Sequence, residues 1–181
     1  MNKSRVTDPI LDDFLREQLA QATQLASESD LVTVTPMGGV PPSQYVIEFR
    51  CRGLKKTSQN RIVADDGPWG FGVNFPANFL RGGFHPAEVL AYLGPVAQPW
   101  HPNLRPPFVC LEVRPAMPLT EIIFTLFDLL SWNLFSTQDE GLNHDASQWY
   151  RNQDPSRFPI DQRPLKRRIP SLVVTEQESK P

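Results

Sequence analysis

The chain has 181 residues, with 18 Lys and Arg against 20 Asp and Glu, a formal net charge of −2 and 40% hydrophobic side chains. That length suffices for one domain with a substantial core, and the near-neutral charge argues against an electrostatic nucleic-acid binder. No apolar run approaches the roughly 18 residues of a membrane span, and two cysteines, Cys51 and Cys110, make neither a disulfide framework nor a metal site. Met1-Asn2-Lys3-Ser4-Arg5-Val6 runs into an acidic amphipathic stretch with no secretory apolar segment, so a reduced, cytoplasmic setting is expected.

Asp8-Pro9 offers a capping carboxylate and then Pro at the first helical position, which predicts a helix start. Leu11, Phe14, Leu15, Leu19, Ala22 and Leu25 recur at helical spacing to about Ser27. Leu31 to Thr35 reads as a short strand, and Pro36 to Pro42, with Gly38-Gly39 and Pro41-Pro42, as a turn. Tyr45, Ile47, Phe49 and Cys51 alternate with Val46, Glu48, Arg50 and Arg52, a second strand that carries Cys51 into the core. Lys55 to Gly67 reads as a polar loop. Trp69, Phe71, Val73 and Phe75 alternate up to Pro76 as a third strand, and Glu88 to Leu93 predicts a fourth. Gly94 to Val113 is rich in proline and reads as extended chain laid over the domain.

Leu119, Ile122, Ile123, Leu126, Phe127 and Leu130 predict a buried helix, and Asn143 caps another through Trp149-Tyr150. Strands followed by helices predict an α+β fold: an N-terminal helix, a four-stranded antiparallel meander, a long irregular segment, then helices. The domain is expected over residues 1–152, with a Pro- and Arg-rich C-terminal tail over 153–181.

Within the irregular segment, His101-Pro102-Asn103-Leu104-Arg105-Pro106-Pro107-Phe108-Val109-Cys110 sets a lone thiol seven residues after an Asn amide. Acyl transfer through a thiol needs a partly exposed sulfur and a hydrogen-bond donor for the oxyanion. From the residues alone, Cys110 is either such a nucleophile or a small buried hydrophobe between Val109 and Leu111. Asn103 is either a turn cap or that donor. Asp139-Glu140, from the residues alone, reads as a solvated acidic turn. His85 and His144 have no second ligand at metal spacing, and no Gly-rich phosphate loop is present, so no cofactor or metal is expected. Any ATP-driven activation would then occur on another protein. Arg163, Lys166, Arg167 and Arg168 lie among Pro164 and Pro170 and read as a solvated or partner-docking tail.

The His101-Pro102-Asn103 run with Cys110, followed by Leu111-Glu112-Val113, resembles the active-site segment of ubiquitin-conjugating enzymes. The resemblance extends over residues 8–152. Phe75-Pro76 is similar to the Phe-Pro that ends that fold's third strand, and Leu119 to Leu130 to the helix behind its active site. Asp139-Glu140-Gly141-Leu142-Asn143-His144-Asp145-Ala146, followed by Trp149-Tyr150, is similar to its acidic gate loop and next helix.

The resemblance implies an enzyme in which Cys110 accepts a ubiquitin-like protein from an activating enzyme as a thioester. It then passes that acyl group to an amine, a lysine of a protein target. Asn103 would hold the active-site loop and stabilise the oxyanion, with His101 and Pro102 structural. Glu140, with Asp139 beside it, would orient or deprotonate the amine. Neither a cofactor nor nucleic acid nor a membrane is implied.

The departures mark a divergent relative. The Asn103 to Cys110 spacing is one residue shorter than usual in the family, and Pro106-Pro107 stands where a Gly is usual. Asn78-Phe79-Leu80-Arg81-Gly82-Gly83 replaces the Tyr-Pro-x-x-Pro-Pro after the third strand. Pro115-Ala116-Met117-Pro118 stands where a Trp is usual, and the final helix gives way to the tail. These changes bear on ligase docking more than on chemistry. A looser resemblance is to conjugating proteins found beside ubiquitin-like genes in bacterial antiviral operons. There the acyl donor is a ubiquitin-like protein or the C-terminus of a nucleotidyltransferase, and the sequence leaves both open. Two other classes stay open: a non-catalytic binding module of the same fold, and a cysteine hydrolase using Cys110 and His101. The hydrolase requires the intervening chain to fold back, since extended chain spans about 3.3 Å per residue.

Overall fold

The computed structural model describes residues 8–134 and 141–166. Helix α1 (Pro9–Ser27) begins at the expected cap, where the Asp8 carboxylate accepts from the Ile10 N–H at 3.1 Å. Its buried stripe is Leu15, Gln18, Ala22 and Leu25. Strand β1 (Val32–Met37) pairs antiparallel with β2 (Gln44–Phe49). Tyr45, Ile47, Phe49 and Cys51 are all buried, as their alternation predicts.

The stretch expected to be a polar loop is instead a two-stranded ribbon, β3 (Gly53–Lys56) against β4 (Ile62–Asp65). Leu54 and Ile62 pack on the cluster around Trp100, and Lys55 pairs with Asp65 across the ribbon. Leu54 stands alone before a polar run, and the apolar triplet Ile62-Val63-Ala64 is too short to show a period, so composition alone suggests a loop. Residues 98–100 add to the ribbon's other edge, with Lys56 N–H donating to Gln98 O at 2.9 Å and Trp100 N–H to Leu54 O at 2.7 Å.

Strand β5 (Trp69–Asn74) lies beside β2, with Ile47 opposite Phe71 and Phe49 opposite Trp69. A single helical turn, α2 (Pro86–Val89), leads into β6 (Leu90–Pro95), so the fourth strand starts two residues later than expected. The sheet order is β1-β2-β5-β6. Its inner face is covered by α1 and by α3 (Leu119–Leu130), through contacts such as Phe14 on Phe75 at 5.5 Å and Phe49 on Phe127 at 6.5 Å. Burying each such aromatic or aliphatic side chain contributes about 1.5–3 kcal/mol. Helix α3 has no side-chain cap of its own. Gln18, on α1, accepts from the Leu119 N–H at 2.8 Å, satisfying an orphan donor and tying the two helices together.

Residues 94–113 run largely extended but close into one short hairpin, β7 (Leu104–Arg105) with β8 (Phe108–Val109). Pro106-Pro107 forms its turn, held to the sheet by the Tyr92 N–H donating to Pro107 O at 2.8 Å. Helix α4 (His144–Arg151) begins at the expected cap, Asn143 Oδ1 accepting from the Ala146 N–H at 3.2 Å. Among the described residues the chain therefore holds four helices and a four-stranded antiparallel sheet, an α+β arrangement. None of these helices is long and apolar enough to cross a membrane.

After residue 152 the described chain packs back on the body. Ile160 N–H donates to Ser131 O at 2.8 Å, Leu165 is buried, and Lys166 pairs with Glu28 at 2.5 Å. Asp161 is the buried anchor of this crossing. It accepts from the Arg52 N–H at 2.8 Å and from both ends of the Arg163 guanidinium at 2.9 and 2.6 Å. Burial alone would raise its carboxyl, but the hydrogen bonds from Arg163 and Arg52 and the Arg163 charge outweigh it and hold the pKa at about 2. A carboxyl depressed on folding adds stability above its unfolded value of about 3.9, and loses it as pH falls through the folded one. Asp161→Asn should therefore cost about 1.5–3 kcal/mol at neutral pH, the scale of hydrogen bonds to a charged group. The gap between variant and parent should close between about pH 4 and pH 2. Urea unfolding across that range measures it; an equal gap at both ends would exclude the ion pair as its source.

Candidate active site

Strand alternation decides where the thiol points. Leu104 and Val109, opposite each other in the hairpin, are buried, as is Leu111, so the residue between Val109 and Leu111 faces outward. Cys110 is exposed and is not a core residue. Cys51 is fully buried; its thiol is pushed up to about 12 by burial, with the Asp161 carboxylate adding to the effect. That thiol stays protonated, and inert in its apolar site.

Asn103 clasps Cys110 twice. Cys110 N–H donates to Asn103 O at 2.8 Å, and Asn103 Nδ2 donates to Cys110 O at 3.0 Å. The two residues thus extend the β7–β8 hairpin by one further pair. Asn103 Oδ1 is buried and has no hydrogen-bond partner among the described residues. The amide is held by its nitrogen, which has a second hydrogen to give.

His101 fastens this hairpin from behind. Its Nδ1 accepts from the Asn103 N–H at 3.0 Å, so the proton sits on Nε2, which donates to Leu134 O at 3.1 Å. The ring is 2% exposed and meets Trp132 edge-on at 4.7 Å. Burial pulls its pKa down to about 3, only partly opposed by the bond to Leu134. The imidazole is neutral and both nitrogens are engaged, so it has no free nitrogen to serve Cys110 as a base.

Asp139 and Glu140 lie outside the described residues. The described residues on either side of residues 135–140 both reach the same tripeptide. Leu134 O accepts the hydrogen bond from His101 Nε2, and Asn143 N–H donates to Pro102 O at 2.9 Å. Gly141, at φ +61°, sits over Pro102, where a Cβ would fall 2.8 Å from the Pro102 carbonyl oxygen. Both the left-handed backbone and the close approach require glycine. In the sequence, the signal for this requirement is a Gly two residues before the Asn143 helix cap.

An open groove of about 430 Å³ borders the thiol, lined by Asn103, Cys110, Glu112, Arg114, Glu121 and Leu134 among others. Arg114 Nη2 bonds both Glu121 oxygens, at 2.6 and 2.8 Å, and fixes the groove's far wall. Neither residue was singled out from sequence, because the pair forms only when α3 crosses the extended chain. A larger cavity of about 860 Å³ lies at the C-terminal crossing, away from residues 101–110. Three of its arginines already pair with acids: Arg50 with Glu48, Arg52 with Asp66 and Arg163 with Asp161. No group of three or more His, Cys, Asp or Glu gathers at metal-binding separation among the described residues.

No protein-family profile and no curated protein matches this chain.

Proposed function

We propose that the chain is an acyl transferase of the ubiquitin-conjugating type, with Cys110 as its nucleophile. The observation that carries the reading is the exposed thiol clasped by Asn103 through both backbone and side chain, inside the His-Pro-Asn segment that resembles that family. In the first step the Cys110 thiolate attacks the thioester carbonyl carried by an activating enzyme, and that enzyme's thiolate leaves. In the second, a lysine amine attacks the Cys110 thioester, loses a proton, and expels the Cys110 thiolate. Asn103 keeps the segment formed and offers its second amide hydrogen to the oxyanion of each step. A hydrolase built on His101 is disfavoured, since that imidazole is neutral, buried and doubly bonded. The antiviral setting rests on the looser resemblance alone.

The test is incubation with an activating enzyme, ATP and each of two donors, a ubiquitin-like protein or a nucleotidyltransferase with a free C-terminus. The expected product is an adduct that thiol reductant removes. No adduct with either donor would favour a binding module.

The gate is the second part of the reading. An amine with an unperturbed pKa of about 10.4 is mostly protonated at neutral pH and cannot attack in that form. Glu140→Ala should slow discharge of a preformed Cys110 thioester onto free lysine by about 10²-fold, at the lower end of general-base contributions. Loading, an exchange between thiols, should change little. The defect should shrink as pH rises, because more amine is then neutral without help. Single-turnover discharge from about pH 7 to 9.5 measures this, below the amine's own pKa. Asp139→Ala belongs in the same series. Wild-type rates in both variants and in the double variant would return the pair to a solvated turn.

A further inference from the structure

We propose that residues 155–160, C-terminal to the predicted domain, brace the active-site hairpin, with Phe158 and Trp132 acting as positioning residues for Cys110. Naming the hairpin catalytic rests on the reading above; the mechanical link does not.

Trp132 is the hub. It is 1% exposed, yet its backbone is left-handed, at φ +63°. Bulky residues adopt that conformation only where their surroundings impose it. Its indole stacks on Tyr150 at 5.6 Å and 28°, and touches Phe158 at 5.3 Å and Trp149 at 5.7 Å. Phe158 is wedged between the same rings, 5.0 Å from Tyr150 and 6.4 Å from Trp149. The Ile160 N–H bond to Ser131 O, at 2.8 Å, pins this segment beside the residue that precedes Trp132.

On its other side Trp132 meets the His101 ring at 4.7 Å. That ring can accept from the Asn103 N–H and donate to Leu134 O only in one orientation, because the two bonds lie at opposite nitrogens. Asn103 in turn clasps Cys110. The chain of contacts runs Phe158, Trp132, His101, Asn103, Cys110, with a packed ring or a hydrogen bond at every step. Removing the Phe158 ring leaves Trp132 free to shift, and the ring that packs against the imidazole shifts with it.

The cluster around Trp132 is separate from the main core of the sheet, which includes Ile47 and Phe71. A disturbance that starts at Phe158 should therefore reach the hairpin without loosening β2 and β5. A residue that merely adds stability would loosen both.

Amide hydrogen exchange on the full chain separates these cases and needs no partner protein. In Phe158→Ala and Trp132→Leu, the Asn103 and Cys110 amides should exchange at least about tenfold faster, while β2 and β5 amides stay within about twofold of wild type. Phe158→Tyr, which keeps the ring, should restore protection. The proposal is overturned if the Asn103 and Cys110 amides keep their wild-type rates. It is equally overturned if they accelerate no more than β2 and β5 do. Should Phe158→Ala not fold, Phe158→Leu carries the same test with most of the apolar volume retained. A chain that forms no thioester would sink the transfer reading and leave this exchange result standing.

Discussion

Cys110→Ala should abolish the reductant-sensitive adduct altogether, whereas Cys51→Ala should leave loading at the parent level in whatever fraction stays folded. The two thiols differ in exposure and in surroundings. Cys110 faces outward from a hairpin beside an open groove, and Cys51 is sealed in the core with its thiol held up at about 12. Only a thiolate attacks a thioester, so a buried thiol that stays protonated contributes nothing. Cys110→Ser should give either no adduct or an oxygen ester that survives reductant, because an ester does not exchange with free thiols at a comparable rate. Gel mobility with and without reductant distinguishes these products, and mass spectrometry locates the link. Loading by Cys110→Ala, or loss of loading in a folded Cys51→Ala, would move the nucleophile elsewhere. The Cys51 variant carries its own cost: trimming a side chain packed near Phe49 and Trp69 leaves a small void, so melting must be measured beside loading.

What the sequence disclosed about the fold followed periodicity. Helix α3 lies where Leu119, Ile122, Ile123, Leu126, Phe127 and Leu130 placed it, and β2 and β5 bury the alternating apolar residues that their patterns predicted. Capping chemistry was equally legible, at Asp8 and at Asn143, because it is local. The ribbon of β3 and β4 was not, since Leu54 and Ile62 find their burial against Trp100, far along the chain. The crossing after residue 152 failed to show for a related reason. Its anchors, Phe158, Ile160, Asp161 and Leu165, are single contacts from an irregular chain to distant elements, hidden in a composition of Pro and Arg. At the site, the short interval between Asn103 and Cys110 was readable as a motif. That the interval is a hairpin, closed by the two residues that matter most, depends on the partner strand and the Tyr92 contact.

Asn103→Ala should leave the fold nearly intact and lower acyl transfer by about 10²–10³-fold, the effect of removing one oxyanion donor. The small stability cost follows from two opposing changes. The variant loses the Nδ2 bond to Cys110 O, worth about 0.5–1.5 kcal/mol for a neutral pair, and the freed carbonyl, on an exposed residue, has water to bond instead. It also deletes the buried Oδ1, which has no partner among the described residues and whose desolvation weighs against the folded state. The Asn103 backbone contributions, to His101 and from Cys110, survive the substitution. The hairpin should persist while the donor is gone. Discharge onto an amine should fall more than loading, since a thiolate attacks a thioester with a smaller barrier to offset than a neutral amine does. Asn103→Asp sharpens the test: it keeps the shape but sets an acceptor against Cys110 O, so transfer should fall at least as far as in the alanine variant. Melting temperature together with single-turnover loading and discharge reads all of this. A large drop in melting temperature with unchanged kinetics in the folded fraction would show that Asn103 does no more than hold the hairpin closed.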